Sequence, residues 1–302
     1  MPTLPPIRRS LQTVALAVLV LAAGCSSAQK EIRTASGGAL PDAVAVVKES
    51  VAAIVERDPD AAAAKFTKMS SGLFAFYRGT SDLFYKYNEY YGIDESFVVR
   101  KDAQLQLHGD FHLENFGAYR SETGNVVFDL VDFDDTFRGP YLLDLRRMAV
   151  SLMIVCEEKG MAPEAEQVVM LFLRSYEQMM RSIAAGDRRA DFCYRNGADV
   201  PAVDTIISAV KRIDRHEFLE KVCRTHISAG GSRRFNDDKG YAQVADLTSL
   251  KSAMDRYLDT VLPEYRKDDD YYAIKDAVIS RRGGIGSAGK LRYLVLIEGM
   301  TE

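Results

Sequence analysis

The chain has no run of about 20 apolar residues, which rules out a multi-pass membrane protein. It has no basic excess either. Its 39 lysines and arginines stand against 43 acids, a formal charge of −4, so nucleic acid is not the default partner. Four cysteines with no Cys-x-x-Cys spacing exclude a zinc ribbon and a thioredoxin-type redox motif. No internal repeat is visible. What is present is globular composition, 47% apolar and 27% charged, which argues against disorder for most of the chain. At 302 residues the chain can bury a core without disulfide support.

The first residues read as an address. Arg8 and Arg9 precede a short apolar run, Leu11 to Ala23, and Ala22-Ala23-Gly24-Cys25 follows. That run suits a signal peptide core better than a membrane span. Small residues before a cysteine resemble the bacterial lipoprotein cleavage box, so residues 1–24 are expected to be removed and Cys25 to carry the lipid anchor. Several acyl chains, at roughly 0.8 kcal/mol per buried CH₂, hold stably. Ser26 after Cys25 resembles the pattern sent to the outer membrane, on its periplasmic face. Loss of Arg8 and Arg9 takes the net charge from −4 to −6. Cys156, Cys193 and Cys223 remain and read as buried thiols, with one disulfide open to them in an oxidising compartment.

Residues 25–40 are polar and small, a flexible tether, and 41–302 form the folded domain. Pro41-Asp42 opens an amphipathic helix with Val44, Val47, Val51 and Ile54 on one face. A second helix runs through 61–68. The aromatic stretch 72–91 belongs to the core, interrupted by Arg78-Gly79. Arg78 is either solvated or turned toward an anion. Short strands are expected at 97–99, 104–107 and 126–128. From 142 to 280 the chain reads as mostly helical: 142–158, 163–186, 202–213, 215–226, 247–261 and 270–278. A glycine cluster and an apolar strand follow, at 283–298. Arg146-Arg147 read as a helix start with one solvated face.

The chemistry concentrates between 104 and 151. His108, Asp110 and Asn115 form H-x-D-x-x-x-x-N; Asp132 ends an apolar strand and Asp144 begins a helix. Phosphoryl transfer needs a carboxylate to receive or orient the proton of an attacking hydroxyl. It also needs hard oxygen ligands from separate segments to hold Mg²⁺. Asp110 fits the base, and Asn115 and Asp132 the metal ligands. His108, the other member of the catalytic pair, would brace the loop from behind. The competing reading is a metallohydrolase. His108, Asp110 and His112, with Asp132 or Asp134, would hold Zn²⁺ and activate water.

The run His108-Gly109-Asp110…Asn115, then Asp132, then Asp144, resembles the catalytic half of aminoglycoside phosphotransferases and choline kinases, within the protein-kinase-like superfamily. That resemblance implies an α+β fold with a mostly helical large lobe and a small sheet. It implies ATP and Mg²⁺, a small hydroxyl- or amine-bearing substrate, Asp110 as base, and Asn115 and Asp132 as metal ligands. Asp144 becomes the structural residue that ties a helix to the catalytic loop. The segments FAFYRG (74–79), HGDFHLENFG (108–117), DFDDTFRGPYLLDLRRMAVS (132–151) and GGIGSAG (283–289) resemble domain-of-unknown-function family 2252, over most of residues 60–300. That family fixes no substrate.

Gly284-x-Gly286-x-x-Gly289 matches a phosphate-covering glycine loop, although it lies after the catalytic loop rather than before it. No lysine follows Leu291 to meet the phosphates, so the chain reads as C-terminally truncated, with Lys101 or Arg78 as the substitute cation. A third reading is a kinase-shaped lipoprotein that binds a ligand without catalysis.

Overall fold

The computed structural model describes residues 40–93, 104–280 and 292–299, apart from 122–123, 196, 198–199, 227–231, 237–239, 262 and 265. The candidate strand at 97–99, Lys101, the three glycines 284, 286 and 289, Cys25 and nearly all of the tether lie outside the described residues. The fold is mixed α+β and divides after Val210 into two compact units.

The first unit opens with four helices, α1 (Ala43–Arg57), α2 (Pro59–Met69), α3 (Leu73–Gly79) and α4 (Ser81–Tyr91). Their starts follow from local chemistry. Asp42 accepts the Val44 N–H at 3.0 Å, and Asp58 accepts that of Ala61 at 2.9 Å ahead of Pro59. Each satisfies a donor that the first helical turn leaves open. Of the predicted α1 face, Val51 is buried and Val44 is exposed. The aromatic stretch is core as predicted: Phe74, Phe76, Tyr77, Phe84 and Tyr87 are all buried.

Strands β1 (Gln104–Leu107), β2 (Phe116–Arg120), β3 (Val126–Leu130) and β4 (Phe137–Pro140) follow. β1 pairs with β4, and β2 with β3, both antiparallel. The long helix α5 (Leu142–Glu158) is next, and its middle is buried on nearly every side, from Leu145 through Ile154. It ends before Gly160, whose φ is +73°. Helix α6 (Ala165–Ala184) packs beside it. A two-residue strand, β5 (Tyr194–Arg195), adds to the free edge of β3, and α7 (Pro201–Lys211) ends the unit.

The second unit holds α8 (Arg215–Val222), the hairpin β6 (Cys223–His226) and β7 (Ser232–Phe235), then β8 (Tyr241–Gln243), α9 (Thr248–Leu258), β9 (Ile274–Ser280) and β10 (Arg292–Ile297). β9 is the centre of an antiparallel sheet ordered β10-β9-β8. Two expectations are corrected here. The helix at 215–226 stops at Val222, because Cys223 starts a strand whose buried side chain joins Phe235 and Val278 in a core. The helix at 270–278 is a 3-10 turn, Asp269–Tyr272, followed by β9. The side chains of Ala277 and Val278 are both fully buried, as a central strand covered on two faces requires. Cys156, Cys193 and Cys223 are all free thiols. Among the described residues no helix is long and apolar enough to cross a membrane.

Candidate active site

The loop from His108 to Asn115 runs between β1 and β2, and one face of α5 holds it. Asp144 takes the backbone N–H of His108 at 2.7 Å and of Gly109 at 3.2 Å. One turn further along, Arg147 reaches Asp110 Oδ1 through Nε at 2.7 Å and also through Nη2. Another turn on, Ser151 Oγ accepts the Leu113 N–H at 3.1 Å. Positions i, i+3 and i+7 of a helix share a face, so Asp144, Arg147 and Ser151 form one polar stripe facing the loop.

The loop is also cross-linked to the end of β3. Asn115 Nδ2 donates to the Asp110 carbonyl at 2.7 Å, the Val131 N–H donates to the Asn115 carbonyl at 3.0 Å, and His108 Nε2 lies 2.8 Å from the Val131 carbonyl. Residues 108, 110, 115 and 131 are thereby fixed together, with Asp132 next in the chain. Asp132 is the one non-glycine residue with a positive φ, +67°, among the described residues. Asp is among the few side chains that tolerate this region. Both Asp132 and Asp134 are exposed. Gly109 has a structural reason to lack a side chain: φ is +83°, and a Cβ would sit 1.9 Å from the Asp135 carbonyl. The Tyr85 hydroxyl donates to the Gly109 carbonyl from the other side.

Arg147 is fully buried, its guanidinium 4.6 Å from the centre of the Tyr77 ring and 5.2 Å from that of Phe84. This corrects the solvated face expected for Arg146-Arg147. Arg146 is committed as well, to Asn88 Oδ1 at 3.0 Å and to the Gly92 carbonyl at 2.9 Å. Burial alone would raise the Asp110 carboxyl, but the contact with His112 and the charge of Arg147 hold it well below the usual carboxylate range. Asp144 moves the other way: burial raises it, only partly opposed by the two backbone N–H groups. Burial likewise pushes the Tyr77 and Tyr85 phenols up.

His112 is fully buried, edge-on to Phe74. Its Nε2 lies 3.2 Å from Arg78 Nε and 3.4 Å from Asp110 Oδ2. The ring accepts from the first or donates to the second, according to tautomer. Arg78 Nη1 pairs with Glu114 Oε2. So Arg78 is turned toward an anion, and that anion is a carboxylate of the protein.

The zinc arrangement is not formed. His108, Asp110 and His112 share a face only on an extended segment, and the positive φ of Gly109 breaks that alternation. The Nε2 atoms of His108 and His112 face Val131 and Arg78 while both Nδ1 atoms are buried without a hydrogen-bond partner, and among the described residues no three His, Cys, Asp or Glu side chains are grouped to hold a metal. Asn115 spends its nitrogen on Asp110, which leaves the amide oxygen as acceptor, and its backbone carbonyl is bound to Val131, the residue before the exposed Asp132.

Sequence reasoning missed Arg147, Tyr77 and Tyr85. For Arg147 a signal existed: Asp144-x-x-Arg147-x-x-x-Ser151 is a polar stripe inside the otherwise apolar LLDLRRMAVSLMIV. The two tyrosines lie in a stretch so rich in aromatics that nothing marked them out.

No curated protein and no solved structure matches the chain. Residues 57–302 match the family described as "uncharacterized protein conserved in bacteria (DUF2252)", and with most of its length inside that match the chain belongs to this family.

Proposed function

We propose that the protein is a kinase-like phosphotransferase acting on a small hydroxyl- or amine-bearing molecule, with Mg²⁺ and a nucleoside triphosphate such as ATP. The observation that carries this reading is the Asp144 carboxylate accepting two consecutive backbone N–H groups of the His108–Asp110 loop. That is the tie which the resemblance assigns to an aspartate at this spacing. The Asn115 bond to the Asp110 carbonyl and the left-handed Asp132 after β3 support it.

In this reading Asn115 and Asp132, with Asp134 two residues further on, would hold the cation, which would supply charge neutralisation at the phosphates. Asp110 orients the acceptor hydroxyl. A carboxylate held so acidic is a weak proton acceptor, but phosphoryl transfer depends mainly on positioning and electrostatics. Gly284, Gly286 and Gly289 lie in the chain between β9 and β10, which pair antiparallel with Arg292 opposite Ser280. The lipoprotein anchor at Cys25 belongs to the same proposal, and it sets a condition, because an exported compartment is expected to lack ATP.

Thermal unfolding with Mg²⁺ and ATP tests the reading. Ligand at 100 times Kd stabilises by roughly 2.7 kcal/mol. The shift is expected to require both Mg²⁺ and ATP and to vanish in Asp132→Ala. A shift that persists in that variant, or none in the wild type, overturns the metal assignment. Nucleotide binding without transfer to any acceptor favours the ligand-binding reading, for which the locked Asp110 carboxylate is the motivating feature.

A further inference from the structure

Among the described residues two arginines contact the catalytic loop, Arg78 and Arg147, and Arg146 is next to Arg147 in the chain; Arg147 is sealed from solvent, with its Nη1 left without a hydrogen-bond partner. Arg146 is bound to Asn88 and Gly92, and Arg147 is buried against Asp110. Arg78 differs. Its side chain keeps 25% of its accessible surface, and Nη2 takes no hydrogen bond among the described residues. Its orientation is nevertheless fixed, because Nε is held on the fully buried His112 ring and Nη1 on Glu114. Glu114 is 55% exposed, and an ion pair with so wet a partner is worth little. An oriented guanidinium with an open nitrogen and a weakly held carboxylate is a ready receptor for a stronger oxyanion.

We propose that Arg78 is the oxyanion receptor of this loop, and that Glu114 occupies it until a phosphoryl oxygen takes its place. The exchange breaks the Arg78–Glu114 pair and forms a bidentate contact between the guanidinium and two oxygens of the anion. Glu114 directly precedes Asn115 in the chain, so the receptor's present occupant belongs to the same loop as the amide assigned to the cation. Arg78 also donates to His112, which abuts Asp110, so the receptor and the acceptor-orienting carboxylate share one side-chain chain. The place of this exchange in a reaction rests on the phosphotransferase reading; its test does not.

The test is binding of inorganic phosphate to the full chain, by calorimetry without metal or nucleotide. Glu114→Gln is expected to tighten binding by about three- to fivefold, because an exposed pair is worth no more than about that ratio. Glu114 is exposed, so this variant should fold. Arg78→Gln is expected to abolish binding, and Arg78→Lys to recover it only in part, since an ammonium cannot present the fork. Equal affinity in wild type and Glu114→Gln, retained binding in Arg78→Gln, or no phosphate binding at all overturns the proposal. Phosphate that competes with Mg²⁺–ATP identifies the nucleotide as the source of the anion; simultaneous binding identifies a phosphorylated substrate or product. Phosphate binding at Arg78 without any nucleotide response leaves the receptor standing and removes the phosphotransferase reading.

Discussion

Asp110 and Arg147 form a charge pair inside the first unit, and its energetics depend on both being present. Removing one member leaves the other buried without a counter-ion, at a cost of roughly 3–5 kcal/mol. Asp110→Asn is therefore expected to lose about 3 kcal/mol of unfolding free energy at pH 7, read from urea denaturation. The sign of the pH dependence follows from the acidic displacement of Asp110. Its folded-state pKa lies below its unfolded value, so the stabilisation is complete above about pH 4 and is lost as pH falls through the folded value. The gap between wild type and Asp110→Asn should be constant from pH 7 to about pH 5 and narrow in stronger acid. A gap that stays constant to pH 2.5 would show that the charge of Asp110 contributes nothing. Asp144 carries the opposite sign, since its raised value means that the burial penalty is relieved on acidification. Spacing and the kinase resemblance singled out Asp110, Asn115, Asp132 and Asp144 as candidates, whereas Arg147 carried only the fainter signal of a polar stripe in an apolar helix. In sequence, the paired arginines looked like a solvated helix start, and only the packing of Tyr77 and Phe84 around the guanidinium shows otherwise.

Helix α3 illustrates how the elements depend on one another. Its N-cap position is Gly72, which has no side chain to offer, and Glu158 at the last turn of α5 accepts the Phe74 N–H at 3.0 Å instead. Glu158→Ala is expected to cost about 1 kcal/mol, the usual value of a lost cap, with Glu158→Gln recovering part of it. No change in either variant would show that water replaces the carboxylate. This cap joins elements 84 residues apart, so no local pattern announces it. The start of α5 and the stop before Gly160 were readable because periodicity and a glycine coincide there. The 270–278 segment was misread for the converse reason. A strand buried on both faces loses its alternation, and a short apolar run then resembles a helix.

On the scale of the whole molecule, two units and an expected lipid anchor must be consistent with one activity. Cys25→Ala is expected to release the protein from the membrane fraction and to leave its Mg²⁺–ATP response unchanged. A mass spectrum of the wild type should show an acylated residue 25 as the first residue. A wild-type chain that still carries residues 1–24 would return the protein to a compartment where ATP is plentiful. The α5 stripe has a further consequence, for how the sequence can change in length. Each residue along a helix turns the next by about 100°, so inserting one residue between Asp144 and Ser151 would swing part of the stripe off the loop and free several anchors together. The β2–β3 hairpin is tied to the loop at its base, through Asn115 and Val131, while its tip around Gly124 meets nothing within 4 Å of a Cβ built there. Natural variants of this chain should therefore gain and lose residues at that tip and keep the register of α5 unchanged.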